Sequence, residues 1–202
     1  MAHITSIGAG FFSDLSIAAP ATELTSSALL ALDTDAEFLG LFASEIASVG
    51  GTRAASAFIR VNDVREFPGL GTPANIVNVA RYGSKTSAQI QGQADAPSLE
   101  LTLNYVAADW AKDGTSELGD MVGDGIQRVF RFVLLNTEPT GSGVTKYASL
   151  PAGIGTVENT VYYWVGKIEA LLVNPQLTDA NTATLTLSIQ SAFFGSYTVA
   201  AA

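Results

Sequence analysis

The chain has no cysteine, one histidine and few charges. Without cysteine there is no disulfide framework, no thiolate metal site and no cysteine nucleophile. The single imidazole, His3, lies at the very start of the chain. A Ser-His-Asp triad would have to use it, and a two-histidine zinc site is beyond this chain alone. Only 14% of residues are charged, with ten Lys and Arg against 19 Asp and Glu, for a net charge of −9. Gripping nucleic acid requires clustered Lys and Arg, so that class is disfavoured. A protein that DNA passes without sticking is not excluded. No apolar run approaches the roughly 18 residues of a membrane span. The first residues, MAHITSIGAGFFSDLSIAA, lack a positive leading region, and Asp14 interrupts their apolar part, so a signal peptide is not expected. Sparse charge beside 48% hydrophobic content fits a surface largely covered by partners. An ordinary acidic monomer fits the composition as well.

What is present is alternation. Leu99, Leu101, Leu103 and Tyr105 alternate with Ser98, Glu100, Thr102 and Asn104, the pattern of a half-buried strand. Before them Ala88, Ile90 and Gly92 alternate with Ser87, Gln89, Gln91 and Gln93. The two runs read as a hairpin with Asp95-Ala96-Pro97 as its connection. One face is a core, and the other is long, polar and mostly uncharged.

Along the chain, residues 1–25 read as an N-terminal arm with a short strand near Ser13 to Ala18. Thr34 or Asp35 can cap a helix through Glu37, Phe38, Leu41, Phe42, Glu45 and Ile46, although Gly40 weakens it by about 1 kcal/mol relative to Ala. Short strands are expected over Ala57 to Asn62, Val64 to Phe67 and Asn75 to Tyr82. Ala107 to Gln127 is the most helix-like stretch, with Asp113 or Thr115 as its cap and Trp110 plugging it onto a sheet. Arg128 to Asn136 is a strand of bulky residues. Residues 137–160, rich in Gly and Pro, form a long loop, a kind usually functional or disordered. Val161 to Val173 is a long strand, with Tyr162, Trp164, Ile168, Ala170 and Leu172 on one face throughout. Thr182 to Ser191 is the last strand, with Ala183, Leu185, Leu187 and Ile189 inward. The sum is one mainly-β domain over residues 1–202, two packed antiparallel sheets in a sandwich or barrel with one flanking helix.

A search for chemistry returns little. Asp109, Asp113, Glu117, Asp120 and Asp124 are the densest carboxylates, but their spacing is not that of a calcium loop, and a solvated helix face accounts for them. Gly8 and Gly10 lack a third glycine at the right offset, and there is no phosphate loop. The basic residues are scattered, as halves of ion pairs or rim contacts. No enzyme activity, cofactor or metal is expected.

Two segments resemble a known family. Gly92, Ser98, Leu99, Leu101, Leu103, Tyr105 and Asp109 fit the strand, followed by Asp and a helix, of the major tail tube proteins of long-tailed, non-contractile bacteriophages. Gly166, Lys167, Ile168, Ala170, Leu171, Val173 and Pro175, with the turn and strand from Leu177 to Thr186, resemble that family's late hairpin. The resemblance spans about Ala57 to Ser191. It implies the tail-tube fold of two sheets with a flanking helix, shared with contractile-tail inner tubes and type VI secretion tubes. It also implies six copies per ring, rings stacked into a tube, and DNA travelling through the lumen at infection without specific binding. Its implied partners are copies of itself, a tape measure protein, a tail terminator and distal tail proteins. The implied location is the virion, after synthesis in the host cytoplasm, with no membrane. On this reading Gln89, Gln91, Gln93, Glu100, Thr102 and Asn104 face the lumen, with Thr184, Thr186 and Ser188 as weaker candidates. Phe11, Phe12, Lys146 and Tyr147 make ring-to-ring contacts. The alternative is a non-catalytic β-sandwich module that binds carbohydrate or another surface, for which Tyr162, Tyr163 and Trp164 offer the aromatics.

Overall fold

The computed structural model describes residues 12–46, 53–61, 63–70, 76–79, 88–91, 98–112, 117–135 and 160–195. The fold is mainly β, as expected. The first strand, β1 (Phe12–Ala18), pairs antiparallel with β3 (Ala57–Val61) on one side and β8 (Arg128–Leu135) on the other. From β8 the ladder continues antiparallel through β9 (Thr160–Asn174), β10 (Thr182–Ile189), β7 (Ser98–Asn104) and the short β4 (Val64–Glu66). β2 (Ser44–Glu45) adds parallel to β3, and β11 (Phe194–Gly195) pairs with β9. Among the described residues, most of the strands expected as two packed sheets are thus one hydrogen-bonded sheet, with a separate two-stranded pair besides.

That sheet bends round on itself. β3 and β4 lie near opposite ends of the ladder, yet only two residues separate them in the chain. Between them Asp63 has φ of +58°, a left-handed conformation that Asp tolerates better than most residues. Its carbonyl accepts from the N–H of Asn104 at 2.9 Å. At Asp63 the chain therefore leaves β1 and joins β7. The ring of Phe67, just past β4, stacks on Phe132 of β8 with centroids 3.9 Å apart. A flat ladder would hold β4 and β8 four strand spacings of about 4.8 Å apart. One apolar cluster fills the interior, including Leu15, Ile17, Leu101, Leu103, Trp164, Leu185 and Leu187. Burying each such side chain contributes about 1.5–3 kcal/mol.

The helices differ from expectation. Among the described residues of Ala107 to Gln127 the helix is a single turn, α3 (Leu118–Met121). Val122 is extended, and Gly123 and Gly125 have φ of +73° and +77°, so the backbone leaves the right-handed helical region at once. The expected caps Asp113 and Thr115 lie outside the described residues. Trp110, Leu118 and Met121 still close the interior cluster. The flanking helices lie earlier, as α1 (Ser26–Leu30) and α2 (Asp35–Gly40). Thr34 caps α2, which stops at Gly40 rather than running through Ile46, where Ser44 and Glu45 form β2 instead. Leu29, Phe38 and Phe42 form a second cluster with Phe58, Val129, Val133, Tyr163 and Val165 on the outer face of β3, β8 and β9.

The opening hairpin is also rearranged. β6 (Ala88–Gln91) pairs with β5 (Ile76–Val79) in a separate two-stranded sheet, while β7 joins the large one. The two polar runs are consecutive in sequence but do not share a ladder among the described residues.

Candidate functional site

The feature of interest is the outer face of β9, β10 and β7. β10 shows strict alternation of half-buried and buried residues, with Ala183, Leu185, Leu187 and Ile189 inward as expected. The register places Thr182 opposite Asn104, Thr184 opposite Thr102, Thr186 opposite Glu100, and Ser188 opposite Ser98. These side chains share the face turned away from the core. On β7 Glu100 is exposed, while Thr102 and Asn104 are half-buried. The structure therefore joins three of the expected lumen residues with the three weaker candidates, Thr184, Thr186 and Ser188, on one surface.

β9 continues that surface only because of an irregularity. Thr186 pairs with Ala170, but Leu187 pairs with Ile168, so Glu169 is an inserted residue, a β-bulge. One extra residue exchanges the faces of everything beyond it. Tyr162, Trp164 and Ile168 point into the core as expected, whereas Ala170 and Leu172 do not. Leu172 is 65% exposed, and Leu171 packs on the core in its place. The outer rows thus read Leu172–Thr184–Thr102 and Ala170–Thr186–Glu100. The bulged Glu169 accepts a hydrogen bond from Ser188 Oγ at 2.6 Å. Gly166, before the bulge, is dictated by packing, because a Cβ there would collide with the Ser188 carbonyl oxygen.

The surface is uncharged but for Glu100, Glu169 and Lys167, and its side chains are small. The other half of the sheet is covered on its outer face by α1 and α2, where Phe38 stacks on Tyr163 with centroids 5.0 Å apart. Among the described residues, therefore, one half of the sheet is covered on both faces and the other half on one only.

Other candidates fall differently. Gln89 and Gln91 lie on β6, in the two-stranded sheet. Phe12 opens β1, opposite Leu135. Gln93, Phe11, Lys146 and Tyr147 lie outside the described residues, as does His3. The carboxylates do not form a solvated helix face: Glu117 is buried, and Asp124 binds Arg128 at 2.6 Å. Among the described residues no three His, Asp or Glu side chains are grouped to hold a metal. Tyr162, Tyr163 and Trp164 are all buried, so they offer no aromatic binding platform.

Arg131 was not singled out by its sequence context. It is fully buried, with its guanidinium 4.4 Å from the centroid of the Phe42 ring and 4.9 Å from that of Phe58. An Arg amid bulky strand residues, with aromatics on neighbouring elements, is the signal for such a stacked cation. No described helix is long and apolar enough to cross a membrane.

No family model matches the chain, and no curated protein matches it. Among the solved structures that bear a likeness are two from an extracellular contractile injection system. A chain of the PVC sheath/tube terminator in its extended state aligns at 12% identity and a TM-score of 0.43, over 68% of this chain and 86% of that one. A chain of the PVC sheath-tube complex in its extended state aligns at 12% identity and a TM-score of 0.42, over 67% and 81%. These are contractile systems, whereas the sequence resemblance is to non-contractile tails. At such scores the likeness carries no argument about function.

Proposed function

We propose that this chain is a self-assembling structural subunit of a phage-type tail tube. Six copies close into a ring, rings stack into a hollow tube, and DNA is delivered through the lumen. The reading combines the sequence resemblance with one observation, the open face of β9, β10 and β7 beside a half-sheet covered on both sides. DNA is densely anionic, and a wall of Thr, Ser and Asn with few charges of either sign lets it slide without being held. In this reading Glu100, Thr102, Asn104, Thr184, Thr186 and Ser188 line the lumen. Tape measure, terminator and distal tail proteins are its neighbours in the virion. The burial of Tyr162, Tyr163 and Trp164 removes the support for a carbohydrate-binding module.

Electron microscopy of the purified protein tests the assembly, with hollow tubes or stacked rings expected. A strictly monomeric protein at all concentrations overturns the proposal. Thr102→Cys, labelled with maleimide-gold after assembly into tubes, tests the wall. The gold should line the lumen; label on the outer surface overturns that placement.

A further inference from the structure

Among the described residues the large exposed apolar side chains are Leu30, Val106, Leu172, Val173 and Leu177. All but Leu30 sit at one end of the sheet. Leu172 and Val173 end β9, and Leu177 is fully exposed on the turn to β10. Val106 follows Tyr105, whose N–H donates to the Asn181 carbonyl at 2.8 Å. The turn is held in shape, since Asn181 Oδ1 accepts from the Gln176 N–H and Asp179 Oδ1 from the Ala180 N–H, at 2.9 and 2.7 Å. It presents Leu177 and, two residues on, the carboxylate of Asp179.

Elsewhere the molecule carries a cleft of matching character. It is a shallow cleft open to solvent where the end of β1 meets α1 and the start of β8, against Ala18, Ala19, Leu24, Leu29, Val129 and Arg53. Arg128 at its rim is held by Asp124 at 2.6 Å and Glu23 at 3.6 Å. Arg53 differs, because its buried Nε has no hydrogen-bond partner among the described residues. The cleft is an apolar hole with one unanswered cationic donor, and the turn is an apolar knob with an acid beside it. They cannot meet within one molecule. β9 passes the cleft at Gly166, opposite Arg128, and runs on to Asn174, roughly 26 Å further at about 3.3 Å per residue.

We propose that the β9–β10 turn of one copy seats in this cleft of a second copy, with Leu177 against the apolar wall and the Asp179 carboxylate on Arg53. This contact rests on the self-assembly reading above. Knob and hole are different patches, so the contact is heterologous and propagates from copy to copy or closes as a ring.

The absence of native cysteine makes cross-linking clean. The double variant Leu177→Cys with Gln127→Cys, at the cleft rim, is assembled and treated with a short thiol-specific cross-linker. A ladder of dimers, trimers and higher species is expected, with none from either single variant. Asp179→Arg should weaken assembly roughly tenfold or more, and adding Arg53→Asp to it should restore most of that loss. Tubes that form normally with no ladder, and that survive Leu177→Asp, overturn this contact and leave the assembly reading standing. A ladder ending at dimers, or cross-linking by Leu177→Cys alone, also overturns it, because each marks a symmetric contact. A double variant and native chain that stay monomeric at every concentration remove both.

Discussion

Glu37 shows how much one exposed side chain can organise. Its carboxylate accepts the N–H of Asp33 and of Thr34, both at 3.2 Å, while the Thr34 hydroxyl accepts the Glu37 N–H at 3.4 Å. This is a capping box at the start of α2. The Asp33 N–H is the main cause, with Thr34 adding to it, that holds the Glu37 carboxyl below its ordinary value of 4.5. A lowered folded value means that the stabilisation is complete above the unfolded value and is lost as pH falls through the folded one. The amide resonances of Asp33 and Thr34 should therefore titrate together with a midpoint below 4.5 and lose that step in Glu37→Gln. An NMR pH titration checks this, and a midpoint at or above 4.5 contradicts it. The sequence offered Thr34 or Asp35 as this cap, and the structure selects Thr34. Arg131 was not legible, because its burial depends on Phe42 and Phe58, which reach it from elements distant in sequence.

At the scale of elements, the bulge at Glu169 is decisive. Alternation along Val161 to Val173 looks continuous, because both faces carry apolar residues on either side of Glu169. The sequence therefore holds no mark of the change of face. Only the pairing with β10 reveals it, through the two-for-one register at Thr186 and Leu187. Deleting Glu169 removes the inserted residue and keeps every other pair in register. Deleting Ile168 keeps the strand equally short but moves the Glu169 carboxylate into the core position opposite Leu187. The first deletion should cost about 1–2 kcal/mol, for the lost Ser188 hydrogen bond and local twist. The second should cost at least about 4 kcal/mol, from a lost core side chain and a buried charge. Urea unfolding midpoints of the two variants check the order, and equal losses would show that the bulge does not set the register. The fate of Ala107 to Gln127 has a related cause. Its apolar spacing is helical, but Gly123 and Gly125 take left-handed φ values that only the packed structure reveals.

For the whole molecule, Asp63 is the point where one strand serves both ends of the sheet. Closure there lets Phe67 meet Phe132 and shields the interior that β7 and β10 would otherwise expose. A β-branched residue at φ of +58° is strained. Asp63→Val should lower stability by roughly 1–2 kcal/mol, whereas Asp63→Gly should be close to neutral. Thermal unfolding of the two variants checks this. A harmless Asp63→Val would mean that the corner is not constrained as described. At this scale the acidic, sparsely charged composition also finds a place, since the uncovered half-sheet carries hydroxyls and amides where a free surface usually carries ions.

The sequence by itself determined the mainly-β class, most strand positions, the inward residues of β7 and β10, and the neighbourhood of the α2 cap. Each follows from local periodicity or from a contact within one turn of chain, so neighbouring residues suffice to specify it. Only the tertiary structure decided that most strands form one bent sheet, that β6 and β7 part company, and that the helical cover comes from residues 26–40. It also decided that Leu172 turns outward to join the threonine rows. Those outcomes depend on which strand pairs with which, and pairing energy is settled between segments far apart in the chain, where alternation alone is indifferent to the partner.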